Sequence, residues 1–245
     1  MNRKYGWLKQ REDSRDHKYN VSKFFKVMEL PPSVDLRPVD SPILDQGELG
    51  SCTGNGIAGC INFIQKGFFA SRLFIYYNER AIEGTTNKDS GANIRDGINS
   101  VVKQGACSED IVPYDISQFT VKPSQEAYDN ALKDVVTEYL ALEGVEDIKN
   151  CLAQGFPVVC GITVFESFES AQVATTGIVP IPEPSEQELG GHCVKIVGYD
   201  DSNQRFIVAN SWGTGWGEFG YFTIPYAYIE KYGSDFWTIR STSEQ

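Results

Sequence analysis

Cys52 ends the run Asp45-Gln46-Gly47-Glu48-Leu49-Gly50-Ser51-Cys52 and stands at the first turn of a stretch whose periodicity predicts a helix over residues 53–66. A thiol there meets unpaired backbone N–H groups and the positive end of the helix dipole, both of which favour the nucleophilic thiolate. The plainer reading of such a cysteine is a buried, inert thiol. Gln46 lies upstream on a glycine-containing loop. Its amide NH₂ could point at the carbonyl oxygen that a Cys52 thiolate attacks, with the Cys52 backbone N–H as second donor. Taken alone, a loop glutamine is a solvated side chain.

His192 opens the apparent strand Gly190-Gly191-His192-Cys193-Val194-Lys195-Ile196-Val197-Gly198-Tyr199, and Asn210 closes the next, Arg205-Phe206-Ile207-Val208-Ala209-Asn210-Ser211. If these form a hairpin through Asp200-Asp201-Ser202-Asn203, a loop of odd length sets 192 directly opposite 210, with Cβ atoms ~4.5–5.5 Å apart. An even loop puts them on opposite faces. Facing each other, the Asn side-chain oxygen can accept from one ring nitrogen of His192 and leave the other for the Cys52 sulfur. A single strand histidine is ordinarily a core residue. Here a cysteine at a helix start, a glutamine before it and an asparagine on the neighbouring strand all need the same imidazole, which favours nucleophilic catalysis. The other histidine, His17, sits in the charged stretch RDHKYN and reads as a solvated side chain.

Ile57, Ile61, Ile64 and Phe68 give the 53–66 helix its apolar stripe, and Gly67 its stop. Glycines at 54, 56 and 59 each cost about 1 kcal/mol in a helix interior relative to alanine. Tertiary packing must therefore hold this helix, and the missing side chains suggest that another backbone comes close. Further helices are predicted near 73–83, 94–104, 124–133 and 145–154. Strands are predicted near 135–142, 156–164, 192–199, 204–211, 217–224 and 235–240. Helices first and antiparallel strands later describe an α+β protein of two lobes. The expected division is an N-terminal arm over 1–29, ending at Leu30-Pro31-Pro32, and a main domain over 30–245. Within the domain a helical lobe covers about 40–119 and a sheet lobe about 120–240. The arm mixes Tyr5, Trp7, Phe24, Phe25 and Val27 with charge. That is too sparse for a core and too apolar for a free tail, so the arm is expected to dock on the domain and partly cover its cleft.

Composition narrows the partners. Twenty-two basic against 33 acidic residues leave a net charge of −11, which repels phosphate backbones and anionic lipid headgroups, so neither nucleic acid nor membrane is expected as a partner. No apolar run approaches the ~18 residues of a membrane span, and the first residues carry no signal-peptide pattern. A cytoplasmic or intracellular setting is the expectation, with signal-independent export left open. The six cysteines, at 52, 60, 107, 151, 160 and 193, form no CxxC pair and have no clustered histidines, so no metal site and no cofactor are predicted. In a reducing compartment they should be thiols.

Taken together, these segments resemble the papain-like cysteine peptidase family, in its microbial type with a short N-terminal arm. Gln46–Cys52 is similar to the family's nucleophile segment and the stretch around His192 to its histidine strand. Asn210-Ser211-Trp212-Gly213-Thr214-Gly215-Trp216-Gly217-Glu218-Phe219-Gly220-Tyr221 resembles its asparagine block, and Leu30-Pro31-Pro32-Ser33-Val34-Asp35-Leu36-Arg37 its mature start. The resemblance implies a helical lobe and an antiparallel β-barrel-like lobe with the cleft between them. It also implies a catalytic set of Cys52, His192, Asn210 and Gln46. Trp212 would shield the His192–Asn210 hydrogen bond, and Trp216 would help form the leaving-group side, although core packing serves both equally well. Gly91 would offer backbone groups to an extended substrate, and Ala92, Gly190 and Cys193 would lie near the pocket for the residue before the cleaved one. The sequence departs from the pattern in three places: Leu49 stands where secreted members carry a disulfide cysteine, Thr53 replaces the aromatic after the nucleophile, and residues 1–29 are far shorter than a usual inhibitory propeptide.

The implied activity is hydrolysis of peptide bonds in peptides or proteins through an acyl-thioester on Cys52, with His192 as general acid and base. Acyl transfer to an amine would use the same thioester. A non-catalytic peptide-binding module would have no need of all four residues.

Overall fold

The computed structural model describes residues 4–19 and 29–243. The helical half is built around α1 (Cys52–Ile64), against which pack α2 (Arg72–Glu83) and α3 (Ile94–Gln104). The ends of these helices follow local chemistry. Ser71 Oγ accepts from Phe74 N and Asn93 Oδ1 from Asp96 N, each at 3.1 Å, and Gly84 closes α2 in the left-handed conformation. Each such side-chain cap is worth about 1 kcal/mol. The glycines of α1 are spacers, as their number suggests. A Cβ on Gly54 would come 2.8 Å from the Arg72 carbonyl oxygen, and one on Gly56 would come 2.9 Å from Cys193 Sγ and Val159 Cγ2. A backbone approaches at the first and side chains of the sheet at the second, so α1 sits deep between its neighbours.

A short helix α4 (Gln125–Ala131) leads into the sheet half. Its strands are β2 (Val136–Leu142), β3 (Val158–Phe165), β4 (Glu188–Asp200), β5 (Arg205–Ala209), β6 (Tyr221–Pro225) and β7 (Gly233–Thr242), and β1 (Ser33–Asp35) adds to β4. The order β2-β7-β3-β4-β5-β6 is antiparallel throughout. It is an open sheet, not closed into the barrel-like form the resemblance implied. Between the strands lie α5 (Gly144–Ala153), α6 (Ala171–Thr176) and α7 (Tyr226–Tyr232). The helix over 226–232 was not expected, because its tyrosine-rich sequence carries no apolar stripe of helical period. One apolar cluster fills the space between α1 and the sheet, with Ile57, Ile61, Ile98, Val159 and Trp237, and includes Cys52 and Cys193. A second, with Ile162, Ile196, Phe206 and Phe222, lies within the sheet half.

The β4–β5 register corrects the sequence-based requirement. The loop 201–204 has an even number of residues, and near it Asp200 faces Arg205 and Tyr199 faces Phe206. That register would set His192 and Asn210 on opposite faces. A bulge at Val197 then absorbs one residue, so that Ile196 faces Val208 and Lys195 faces Ala209. One extra residue restores the parity. His192 and Asn210 end on the same face as diagonal neighbours, not as the directly opposed pair expected.

Candidate active site

His192 is fully buried, and its Nε2 lies 2.8 Å from Asn210 Oδ1. The same oxygen accepts from Ser211 N at 2.8 Å, so the asparagine is fixed from its own chain before it meets the imidazole. With Nε2 so engaged, Nδ1 is the nitrogen left to serve a thiol. The Trp212 indole stacks on the imidazole, centroids 4.8 Å apart at an interplanar angle of 22°, and is only 4% exposed. It therefore lies over the imidazole. Trp216 packs edge-on beneath Trp212 and stacks on Phe168, in an aromatic cluster that leaves it 5% exposed. Its contacts are those of core packing.

Cys52 opens α1 with Ser51 as its N-cap, and its thiol accepts from the backbone N–H of Cys193, beside His192. The fold thus brings cysteine, histidine and asparagine together. Gln46 joins them through the hinge before Trp212. Its N–H bonds Ser211 O at 2.8 Å, Ser211 Oγ donates to its Oε1 at 2.7 Å, and Tyr114 OH donates to its carbonyl at 3.0 Å. With Oε1 occupied, the amide is turned so that Nε2 faces inward. Ser211 and Tyr114 were not predicted for this role. Ser211 adjoins Asn210, but nothing local signals Tyr114.

Residues 4–8 of this same chain lie across these side chains. Lys4 O accepts from Gln46 Nε2 at 3.2 Å, the Gly6 carbonyl accepts from Ala92 N at 2.8 Å, and Leu8 N donates to Ala92 O at 2.9 Å. Trp7 N donates to Gly191 O at 3.0 Å. Ala92, not Gly91, therefore offers the backbone edge. The Gly91 N–H is spent on Tyr76 OH, and the glycine's role is steric, since a Cβ there would lie 2.1 Å from Gly6 O. Trp7 fills a slot opened by two glycines: a Cβ on Gly161 would come 1.9 Å from its ring, and one on Gly191 2.6 Å. At the end of the slot Asp235 accepts from Trp7 Nε1 at 3.0 Å and from Gln10 N at 2.9 Å. Burial raises the Asp235 carboxyl pKa while these N–H groups act to lower it. Asp235 was missed because it is remote in sequence and in no recognisable motif. Gly190 faces Tyr5, where a Cβ would come 2.9 Å from the tyrosine Cβ. The Cys193 side chain points away, toward Gly56 and Val159. Phe24, Phe25 and Val27 of the expected arm lie outside the described residues.

The covered site has a distinct electrostatic state. Cys52 is 0% exposed, and burial pushes its thiol pKa up to about 12, against the pull of N–H groups from Cys193, Gly6 and Thr53. The helix terminus alone was expected to favour a thiolate, but desolvation by burial outweighs it. The five other cysteines are buried too, and all six are free thiols. Among the described residues no His, Cys, Asp and Glu cluster could hold a metal ion, and no helix is long and apolar enough to cross a membrane. His17 is exposed and stacks on Tyr139, with centroids 5.1 Å apart.

Comparison with known proteins agrees with this geometry. The chain is similar to a peptidase C1-like protein of Acanthamoeba polyphaga mimivirus, with 40% identity over 276 residues, covering 100% of this chain and 89% of that protein. It is 28% identical over 207 residues to cysteine proteinase 3 of Entamoeba histolytica, covering 81% of this chain and 64% of that one. Among solved structures it resembles xylellain, a cysteine protease from Xylella fastidiosa, with a TM-score of 0.88, 39% identity and 98% of each chain covered. Residues 30–235 match the papain family cysteine protease, a span holding Gln46, Cys52, His192 and Asn210. The chain belongs to the papain family of cysteine proteases and is a thiol hydrolase of peptide bonds.

Proposed function

We propose that the chain hydrolyses peptide bonds through an acyl-thioester on Cys52 and that residues 4–8 hold it closed until they leave the cleft. The observation that carries both parts is the peptide already in place, with the Lys4 carbonyl on Gln46 Nε2 and the backbone of residues 6–8 on Ala92 and Gly191. In turnover, a substrate carbonyl takes the place of Lys4 O on Gln46 Nε2, with the Cys52 backbone N–H as second donor. The Cys52 sulfur bonds its carbon while His192 Nδ1 carries the thiol proton to the leaving nitrogen. The imidazole then takes a proton from water, which cleaves the thioester and restores the thiol.

Direction explains why the arm is not itself a substrate. The leaving amine must depart on the His192 side, so a substrate runs from Ala92 toward Trp212. The arm runs the other way. Tyr5 lies 6.1 Å from the His192 ring and 6.3 Å from Trp212, centroid to centroid, and Trp7 pairs in parallel with Ala92. No peptide bond of the arm then offers its nitrogen to the imidazole in the required sense.

Incubation with a thiol-reactive peptidyl epoxide, followed by peptide mapping, tests the assignment. Cys52 should carry the label and the five other cysteines should not; labelling of Cys60 or Cys193 with Cys52 untouched overturns it. Two substitutions should then grade the site. Gln46→Ala is expected to lower kcat by roughly 10²–10³-fold, as other oxyanion donors do. Asn210→Ala should lower it by less than His192→Ala, because it removes the group that orients the imidazole and leaves the proton carrier. Steady-state kinetics on one peptide measures all three. A Gln46→Ala enzyme with wild-type kcat would remove Gln46 from the mechanism.

A further inference from the structure

Thr53, standing where the family pattern has an aromatic, is bonded through its hydroxyl to the carboxyl of Glu79. Glu79 lies on α2 at the junction with α1 and α3, and is fully buried. Its Oε1 takes the Thr53 hydroxyl, and its Oε2 has no hydrogen-bond partner. Gly97 on α3 makes the room: a Cβ there would come 2.7 Å from that oxygen.

Among the described residues no cation pairs with this carboxyl, and the Arg80 charge acts on it without a hydrogen bond. The Arg80 guanidinium beside it in sequence is turned to the carbonyls of Tyr76, Thr86, Lys88 and Phe119. The other titratable groups acting on Glu79 are Glu83 on its own helix and Asp96 on α3, and it in turn acts on the thiols of Cys52 on α1 and Cys193 on β4. A carboxylate here would be an unpaired buried charge among acidic neighbours, and a buried group in that position protonates. Burial indeed raises the Glu79 pKa well above the ordinary carboxylate range. As the neutral acid it hydrogen-bonds Thr53 and spares Cys52 a negative charge one residue away from its partner.

We infer that Glu79 is a positioning residue, a neutral carboxylic acid that braces the first turn of α1 through Thr53 and keeps that turn free of charge that would oppose a Cys52 thiolate. Its ionisation at alkaline pH then works against the thiolate. This role rests on Cys52 being the nucleophile.

The test uses the full chain and measures kcat and KM across pH for Glu79→Gln, Thr53→Val and Thr53→Ser. A neutral isostere should hold Thr53, so Glu79→Gln should keep kcat/KM near neutral pH within about threefold of wild type. It should also extend the alkaline limb, with about threefold more activity than wild type one pH unit above the optimum. Thr53→Val should lower kcat about tenfold with KM little changed, and Thr53→Ser should restore it. A Glu79→Gln enzyme that matches wild type at every pH overturns the role. So does one that is folded but loses more than about a hundredfold at neutral pH, since the charge would then be needed. If Glu79→Gln fails to fold, Thr53→Val decides: wild-type kcat overturns the brace, and a loss repaired by serine supports it. Epoxide labelling of Cys52 in the same samples separates the two readings, because a missing label counts against Cys52 and not against Glu79.

Discussion

Substituting Gly6 by alanine is expected to switch the enzyme on. Gly6 is buried where the arm crosses the loop before the nucleophile, and a Cβ there would lie 1.7 Å from the Gly50 carbonyl oxygen and 2.5 Å from its carbon. Both are backbone atoms, so no side-chain rotation relieves the overlap. Overpacking of this kind costs about 3 kcal/mol or more. At 1.4 kcal/mol per tenfold, the released arm gains roughly 10²-fold in population, and kcat/KM for a small peptide should rise by up to that factor until the open form dominates. No residue of the proposed mechanism is altered. Leu8→Ala is the control, because the Leu8 side chain is 46% exposed and its backbone bonds remain. The thiol gives an independent readout. With the arm seated the thiol is 0% exposed and Gly6 donates its N–H to it, so a reagent reaches the sulfur when residues 4–8 leave. Alkylation of Cys52 at neutral pH should be faster in Gly6→Ala than in wild type. Wild-type kcat/KM together with wild-type alkylation would show that the arm does not gate the site.

Cys52→Ala should produce the largest loss, about 10⁴-fold or more in kcat/KM, because no other group at the start of α1 can form the thioester. The fold should survive. The sulfur accepts N–H bonds from Cys193 and Gly6 but fills little volume, so the melting temperature is expected to change by only a few degrees. Loss of the Gly6 bond should also loosen the arm, which limited proteolysis after residue 8 would report as faster cleavage. Residual turnover near the wild-type level would place the nucleophile elsewhere.

The four residues of the proposed mechanism were legible because each sits in a run whose neighbours restrict it: glycines before Cys52, a strand start at His192 and a tryptophan-rich block after Asn210. The three long helices were legible from their stripes and caps, with Ser71 and Asn93 marking two starts. The bulge at Val197 was not. Val197 lies in a continuous apolar run, and nothing in Lys195-Ile196-Val197-Gly198 marks one residue as extra; the bulge shows only when both strands are paired. The offset from Gly91 to Ala92 was hidden for a related reason, since it depends on Tyr76 reaching in from α2 to take the glycine's N–H. Trp7 was legible as a docking residue, but its slot depends on Gly161, Gly191 and Asp235 meeting from three strands. The thiol's raised pKa follows from its burial in the folded chain, which the local sequence around Cys52 does not show.

The arm does more than enter the cleft. Further along, Ala141 N donates to His17 O at 2.8 Å and Tyr19 N donates to Ala141 O at 2.7 Å, which lays a short parallel strand on β2, the outer member of the sheet. An uncovered edge of this kind is a template for pairing between molecules. Activation by loss of the whole arm would therefore unmask both the catalytic cleft and a self-associating rim, coupling peptidase activity to aggregation. Release of residues 4–8 alone, with 17–19 still in place, keeps the two apart, so an enzyme opened at Gly6 should stay monodisperse where one shortened to Leu30 does not.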